Sequence, residues 1–316
     1  MPVSAGQRVT PRITVLHGDD RPPGLSEDGL RFATGATLAE ALPGTEVLLV
    51  WDFTSDAVRD AWPAADSVRW VHTASAGVDR LTFPGLLSSP VTLTNSRGVF
   101  DAPMAEYVLG LVLAMAKDLP GTIHAQSRRE WRHRETEPVA GRTAVVVGGG
   151  PIGRAIARLL EAVGMTVELV GRRDFDGLPR LLPRADWLVL AAPLTDATRG
   201  MLDADMLASL RPSARVINVG RGALVVEPDL VEALAAGRIG GAALDVFASE
   251  PLPAESPLWE LPGVIVSPHM SGDLIGWREA LVEVFRDNLE RYRAGEPLRN
   301  VVDKSLGYVT TSGASA

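Results

Sequence analysis

The sequence predicts an α/β protein made of two parallel-sheet units, and three observations carry that prediction. Short apolar runs rich in β-branched residues alternate with helix-like stretches in two series, one on each side of a polar passage at 118–141. The second series opens on a glycine-rich turn between a strand and a helix, within 145–160. The chain has 316 residues, enough for two domains with their own cores, and its 46% hydrophobic and 22% charged residues are ordinary for a globular fold.

The elements follow in order. The runs ITVLHG (13–18), EVLLVWD (46–52), VRWVHTA (68–74) and VTLTNS (91–96) read as short strands, and ATLAEALPG between the first two reads as a helix closed by Pro43 and Gly44. Residues 101–117 read as one long helix capped by Asp101, with Pro103 in its first turn and Met104, Val108, Leu111 and Met115 forming one stripe. The arginine-rich passage 118–141 has no clear period and reads as a connection between domains or subunits. Beyond it come six strand candidates: TAVVVGGG, TVELVGR, ADWLVLAAP, ARVINVG, GAALDVF and GVIVSP. Helices at 152–163 and 227–236 lie among them, which is the doubly wound (Rossmann) plan. A final helix at 275–293 precedes a tail whose last small residues read as disordered.

Composition narrows the function classes. The chain has no cysteine, which excludes disulfides, thiolate nucleophiles, thiolate zinc sites and iron–sulfur clusters and fits a cytoplasmic setting. Of 31 basic residues only Lys117 and Lys304 are lysines, so a Schiff-base mechanism is a poor fit. The net charge of −8 gives no general attraction to nucleic acid or anionic membrane, and the basic cluster RREWRHR (128–134) reads as a solvated loop or a subunit contact. The N-terminal residues show no signal-peptide pattern. The longest apolar run, YVLGLVLAMA (107–116), falls far short of a membrane span of ~20 residues. No cluster of His and carboxylates has metal-ligand spacing, so no metal site is expected.

The stretch VVVGGGPIGRAIARLL sets Gly148, Gly150 and Gly153 in the order strand, turn, helix, with Pro151 and Ile152 inside the loop. The first glycine permits the tight turn, the second lets a pyrophosphate approach the backbone, and the third lets the helix sit close to the strand. The next strand should end on the residue that reads the adenosine ribose. It ends on Gly171, Arg172 and Arg173, with Glu168 too early in the strand to reach a ribose. Two guanidiniums there suit a 2′-phosphate, so NADP(H) is preferred and NAD(H) possible, with Asp174 the residue that could serve ribose hydroxyls instead. An exposed turn is the plain alternative.

Three polar sites follow at the ends of successive strand candidates: Arg221 in VINVGRGAL, Asp245 and Glu250 in ALDVFASEPLP, and His269 in VIVSPHMSG. A lone histidine after a strand is more often a bystander than a catalyst, but ligands of open parallel sheets bind beyond those carboxyl ends. An Arg, a Glu and a His converging there suit reduction of a carbonyl beside a carboxylate. Arg221 would hold the anion, His269 would supply the proton, and Glu250 would keep the imidazole charged and oriented. Pro268 is expected to favour an extended chain that aims the His269 ring.

Together GGGPIG, APLTDATRGML, INVGRGALV, ALDVFASEPLP and SPHMSG resemble, in order and spacing over residues 70–303, the D-isomer-specific 2-hydroxyacid dehydrogenases. The resemblance implies that Arg221, Glu250 and His269 are the catalytic set. It implies that the amides of Ala76, Gly77 and Val78 in ASAGVD hold the substrate, that Asp245 binds the nicotinamide carboxamide, that Val219 makes a backbone nicotinamide contact, and that Pro193 and Thr198 line the cofactor cleft. The run Gly171-Arg172-Arg173 looks like the NADP-preferring glyoxylate and hydroxypyruvate reductases, while PHMSGD departs from the commoner PHxGG-like ending and leaves the pocket wall open. The implied architecture is a Rossmann cofactor domain at 101–272 and a smaller flavodoxin-like substrate domain from 1–100, to which the helix and tail at 273–316 return. The two would close on a hinge over the cleft. A homodimer through the cofactor domain is implied, with 118–141 as its interface. The reading that follows is an NADPH-dependent reductase of small 2-ketoacids. Its rivals are an NADH-dependent reductase of bulkier 2-ketoacids and a dinucleotide-sensing scaffold without turnover.

Overall fold

The computed structural model describes residues 10–26 and 29–310. The small-residue end at 311–316, read as disordered, and residues 1–9 of the stretch read for a signal pattern lie outside them. The chain divides into two compact units, Met1–Val99 with Ile275–Ala316, and Phe100–Leu274.

In the first unit β1 (Ile13–Leu16), β2 (Leu30–Ala33), β3 (Val47–Val50), β4 (Trp70–Thr73) and β5 (Thr92–Asn95) pair in parallel in the order β2-β1-β3-β4-β5. This is the flavodoxin-like order. Strands β1, β3 and β4 are buried at every residue, which explains why apolar residues predominate in them and run unbroken in VLLV of β3: in a parallel sheet with both faces covered, no side chain meets water. The strand β2 has no buried apolar run to mark it in the sequence, because at the sheet edge Leu30 and Phe32 are half-buried and Arg31 is exposed. Helix Trp277–Ala294 covers this sheet, burying Leu281, Val282, Phe285 and Leu289. Trp70 stacks against both Phe285 and Tyr292, with centroids 5.4 Å apart in each pair.

In the second unit β6 (Thr143–Val147), β7 (Thr166–Val170), β8 (Trp187–Leu190), β9 (Arg215–Asn218), β10 (Gly241–Leu244) and β11 (Val264–Val266) form a parallel sheet in the order β11-β10-β9-β8-β6-β7. The order reverses at β6, so the ligand crevice of such a sheet falls between the ends of β6 and β8. The usual dinucleotide order has one more strand beyond β7. Here that stretch is a 3₁₀ turn, Arg172–Gly177, and a short helix, Leu178–Leu181, pinned by buried Leu178 and Leu182.

Helix Asp101–Ala116 packs Val108 and Val112 with Ile156 and Leu160 of helix Pro151–Ala162 in one core. Asp101, expected to be the cap, is the first helical residue after Phe100. The passage read as aperiodic begins with a helix, Leu119–Ser127, whose cap Asp118 accepts from the Gly121 amide. Its side chains are mostly exposed, with only Ala125 buried, so no apolar period announces it. No single helix among the described residues is long and apolar enough to cross a membrane. Asp101–Ala116 and Leu119–Ser127 reach that length only as a pair bent by 64°.

Candidate active site

The turn after β6 is a fold of backbone on backbone. Gly148 has φ +130°, and a Cβ there would stand 2.5 Å from the Ala191 carbonyl oxygen. A Cβ on Gly153 would overlap the Gly148 carbonyl, so the helix meets the strand at a distance only glycine allows. Gly150 is different: a Cβ built there meets nothing within 4 Å. Open space before the first turn of a twelve-residue helix, with Pro151 at its first position, leaves room for a phosphate on the helix amides. The residues of this turn therefore fit a dinucleotide.

The end of β7 lies alongside. A Cβ on Gly149 would stand 3.1 Å from the Gly171 Cα, so the two strand ends touch through glycines. Arg172 and Arg173 follow on the exposed 3₁₀ turn. Asp174 closes that turn, its amide donating to the Gly171 carbonyl at 3.0 Å, and its carboxylate folds back toward Gly171. Beyond β8, the Thr198 hydroxyl donates to the Pro193 carbonyl at 2.7 Å and accepts from the Thr195 amide at 2.9 Å. That side chain shapes the 193–198 turn. The Val219 amide donates to Leu190 in the adjoining strand at 3.1 Å, and the residue is buried.

Arg221, Glu250 and His269 stand on turns that follow the adjacent strands β9, β10 and β11. Asn218, buried at the end of β9, ties the first turn: its amide group donates to the Arg221 carbonyl at 2.9 Å and its oxygen accepts from the Gly220 amide at 3.1 Å. Gly222 then lies so close to the Phe247–Ala248 backbone that a Cβ would overlap the Phe247 carbonyl. This contact brings the Arg221 turn against the loop that carries Glu250. Glu227 tightens the same loop by accepting from the Ala248 amide at 3.1 Å.

Glu250 Oε1 accepts from the Phe247 amide at 3.0 Å, and Oε2 stands 2.7 Å from His269 Nδ1. Burial works to raise the Glu250 pKa. The His269 hydrogen bond, the Phe247 amide and the charges of His269 and Arg221 outweigh it, and the carboxyl sits below its usual range. An ionised carboxylate only accepts, so Nδ1 carries the proton it donates, and Nε2 is the nitrogen left for a reacting partner. The ring is 44% exposed. His269 does not take the extended conformation expected after Pro268; its φ is +53°, in the left-handed region, and its amide donates to the Asp245 carbonyl at 2.8 Å.

Asp245 is fully buried. Its carboxylate accepts from the Ser267 hydroxyl at 2.6 Å and from the amides of Met270 and Ser271, both at 2.9 Å. The expected carboxamide contact thus falls on a group without exposed surface and with three acceptor positions taken.

The residues Ala76, Gly77 and Val78 belong to the other unit, on the turn after β4. Asn95 donates to the Ala76 carbonyl and the Ser75 hydroxyl to the Gly77 carbonyl, both at 2.6 Å. The turn ties its carbonyls inward, and among the described residues no protein acceptor takes the amides of 76–78. Asn95, Asn218, Glu227 and Ser267 are not among the residues expected from the sequence. Only the placement of Asn95 and Asn218 at strand ends signalled them.

Comparison with known proteins gives a consistent result. A family model described as D-isomer specific 2-hydroxyacid dehydrogenase, NAD binding domain, matches residues 109–271. The glyoxylate/hydroxypyruvate reductase A of Serratia proteamaculans is 32% identical over 258 residues, 76% of this chain and 82% of that protein. The D-3-phosphoglycerate dehydrogenase of Methanocaldococcus jannaschii is 30% identical over 297 residues, 88% of this chain, and the chain spans 56% of that longer relative. Among solved structures, the NADPH-dependent glyoxylate/hydroxypyruvate reductase of Sinorhizobium meliloti, in complex with NADP and sulfate, superposes with a TM-score of 0.79 at 29% identity. That match covers 94% of this chain and 99% of the other.

Proposed function

This chain belongs to the D-isomer specific 2-hydroxyacid dehydrogenase family, an NAD(P)-dependent group of oxidoreductases, and from that premise we propose that it reduces a small 2-ketoacid of the glyoxylate or hydroxypyruvate type to the D-2-hydroxyacid with NADPH. The observation that carries the reading is the 2.7 Å contact between His269 Nδ1 and Glu250, with the Arg221 charge felt at the same carboxylate. Arg221 holds the substrate carboxylate and polarises the keto oxygen. His269 delivers the Nε2 proton to that oxygen, and Glu250 balances the charge on the ring beforehand and keeps Nε2 aimed. In the oxidative direction the same ring, neutral, removes the hydroxyl proton. When bound, NADPH supplies the hydride that the keto carbon accepts. The loop of Gly148, Gly150, Pro151, Ile152 and Gly153 would hold its pyrophosphate and Arg172 and Arg173 its 2′-phosphate, while Pro193 and Thr198 would line the cofactor cleft and Val219 would meet the nicotinamide through its backbone. The free amides of Ala76, Gly77 and Val78 suit the substrate carboxylate.

One observation favours a second reading. The Asp174 carboxylate folds back toward Gly171, where it could accept from ribose hydroxyls, and NADH would then serve. A homodimer through 118–141 is part of the proposal, supported by fully exposed Trp131 and exposed Ile123 in that passage. The direct test of the reaction is reduction of hydroxypyruvate with NADPH and chiral analysis of the product. D-glycerate supports the assignment, and L-glycerate or no product overturns it.

A further inference from the structure

We propose that Ser75 is a positioning residue for the substrate carboxylate: its hydroxyl holds the Gly77 carbonyl inward and thereby aims the Val78 amide at the anion. The inference rests on the reading that the amides of 76–78 receive that carboxylate.

A peptide unit is rigid, and in the trans form its N–H points opposite to its C=O, so whatever holds a carbonyl also aims the amide that follows it. Among the described residues the cis form occurs between Glu250 and Pro251, so each unit from Ser75 to Val78 is trans. Three successive carbonyls are held here, each by its own donor. The Ser96 amide donates to the Ser75 carbonyl at 2.9 Å, the Asn95 side-chain amide to the Ala76 carbonyl at 2.6 Å, and the Ser75 hydroxyl to the Gly77 carbonyl at 2.6 Å. The N–H groups on the far side of these three planes are those of Ala76, Gly77 and Val78, and no protein acceptor among the described residues takes any of them. Consecutive amides left open in this way suit an anion. Two of the ties come from the end of β5, and the third is made within the turn by Ser75. The Ser75 hydroxyl is buried and has one proton to give. With that proton on Gly77, the 3.1 Å contact to the buried Thr73 hydroxyl is made by the Thr73 proton, so the Ser75 hydroxyl is fixed from both sides.

Ser75→Ala frees the peptide unit between Gly77 and Val78 and leaves the other two held. Thr73→Val keeps the tie and removes the bond that orients it, which keeps the test open should the first variant fold poorly. The probe is oxamate, a carboxylate with no keto group to reduce, added to ²H,¹⁵N-labelled protein saturated with NADPH. Backbone amide chemical shifts report which N–H groups meet the anion, and they need no turnover. Alongside them, KM and kcat for glyoxylate are compared with the dissociation constant of NADPH.

In the wild type, oxamate is expected to move the amide proton shifts of Ala76, Gly77 and Val78 downfield. In Ser75→Ala the Val78 response should fall by about half or more while Ala76 and Gly77 respond as before. KM for glyoxylate should rise about 5- to 30-fold, with kcat and NADPH affinity within about threefold of wild type. Thr73→Val moves the Val78 response and KM in the same direction by less. An unmoved Val78 response and KM in Ser75→Ala overturn the proposal and leave the functional reading standing. So does an equal loss at all three amides, or a fall in kcat and NADPH affinity with KM unchanged, either of which would make Ser75 a general support of the fold. Oxamate that moves none of the three amides in the wild type overturns the carboxylate reading of the turn itself, and the proposal with it.

Discussion

In the proposed mechanism His269 shows how little of a proton donor lies in its own side chain. Its ring owes its tautomer to Glu250 at 2.7 Å, and its amide donates to the Asp245 carbonyl. His269→Ala removes the proposed proton donor without touching the glycine turn, so kcat for glyoxylate should fall by about 10²- to 10⁴-fold while NADPH affinity, read by fluorescence titration, stays near wild type. Equal loss of both would make the histidine structural. Arg172→Ala with Arg173→Ala should weaken NADPH about tenfold or more and leave NADH nearly unchanged, because the 2′-phosphate is the charged group by which the two coenzymes differ. An equal effect on both coenzymes would assign the ribose to Asp174. Arg221, Glu250 and His269 were legible in the sequence because each is a chemically distinctive residue at the end of an apolar run. The left-handed φ of His269 and the turn ties made by Asn218 and Asn95 were not, since they depend on contacts between segments far apart in sequence.

At the scale of elements, the site is assembled by glycines at crossings. Gly153 sets the helix on the β6 turn, and Gly222 sets the Arg221 turn on the backbone of Phe247. Gly222→Ala should cost about 1–3 kcal/mol, as overpacking does, and should push Arg221 away from the loop of Glu250. Urea unfolding would read the first effect, and a raised KM for glyoxylate the second. A variant with wild-type stability and KM would show that the crossing tolerates a side chain. Most strands were legible because burial on both faces leaves continuous apolar runs, as in VLLV of β3. The edge strand β2 and helix Leu119–Ser127 escaped because half-exposed elements need no such pattern.

At the scale of the molecule, the first unit carries a buried histidine of its own. Burial lowers the His72 pKa to about 3. The ring is neutral in a chain of hydrogen bonds: Trp70 Nε1 donates to Thr94 Oγ1 at 2.8 Å, Thr94 Oγ1 lies 2.8 Å from His72 Nδ1, and His72 Nε2 lies 3.2 Å from Ser96 Oγ, whose hydroxyl donates to the Thr73 carbonyl at 3.0 Å. The unfolded chain binds this proton below about pH 6.5 and the folded chain does not until about pH 3. The stability His72 permits is therefore complete above pH 6.5 and is lost as pH falls through that window, by about 1.4 kcal/mol per pH unit. His72→Gln should flatten the pH dependence of unfolding free energy between pH 4 and 6 by up to that slope, and an unchanged slope would contradict the assignment.

Reductase activity and coenzyme choice are read together from the loss of nicotinamide absorbance with NADPH and with NADH, using glyoxylate, hydroxypyruvate, pyruvate and phenylpyruvate in turn. Fast loss with the two small substrates, selective for NADPH, is the expected result. Faster loss with NADH and phenylpyruvate, or tight cofactor binding without turnover on any of the four, would contradict it.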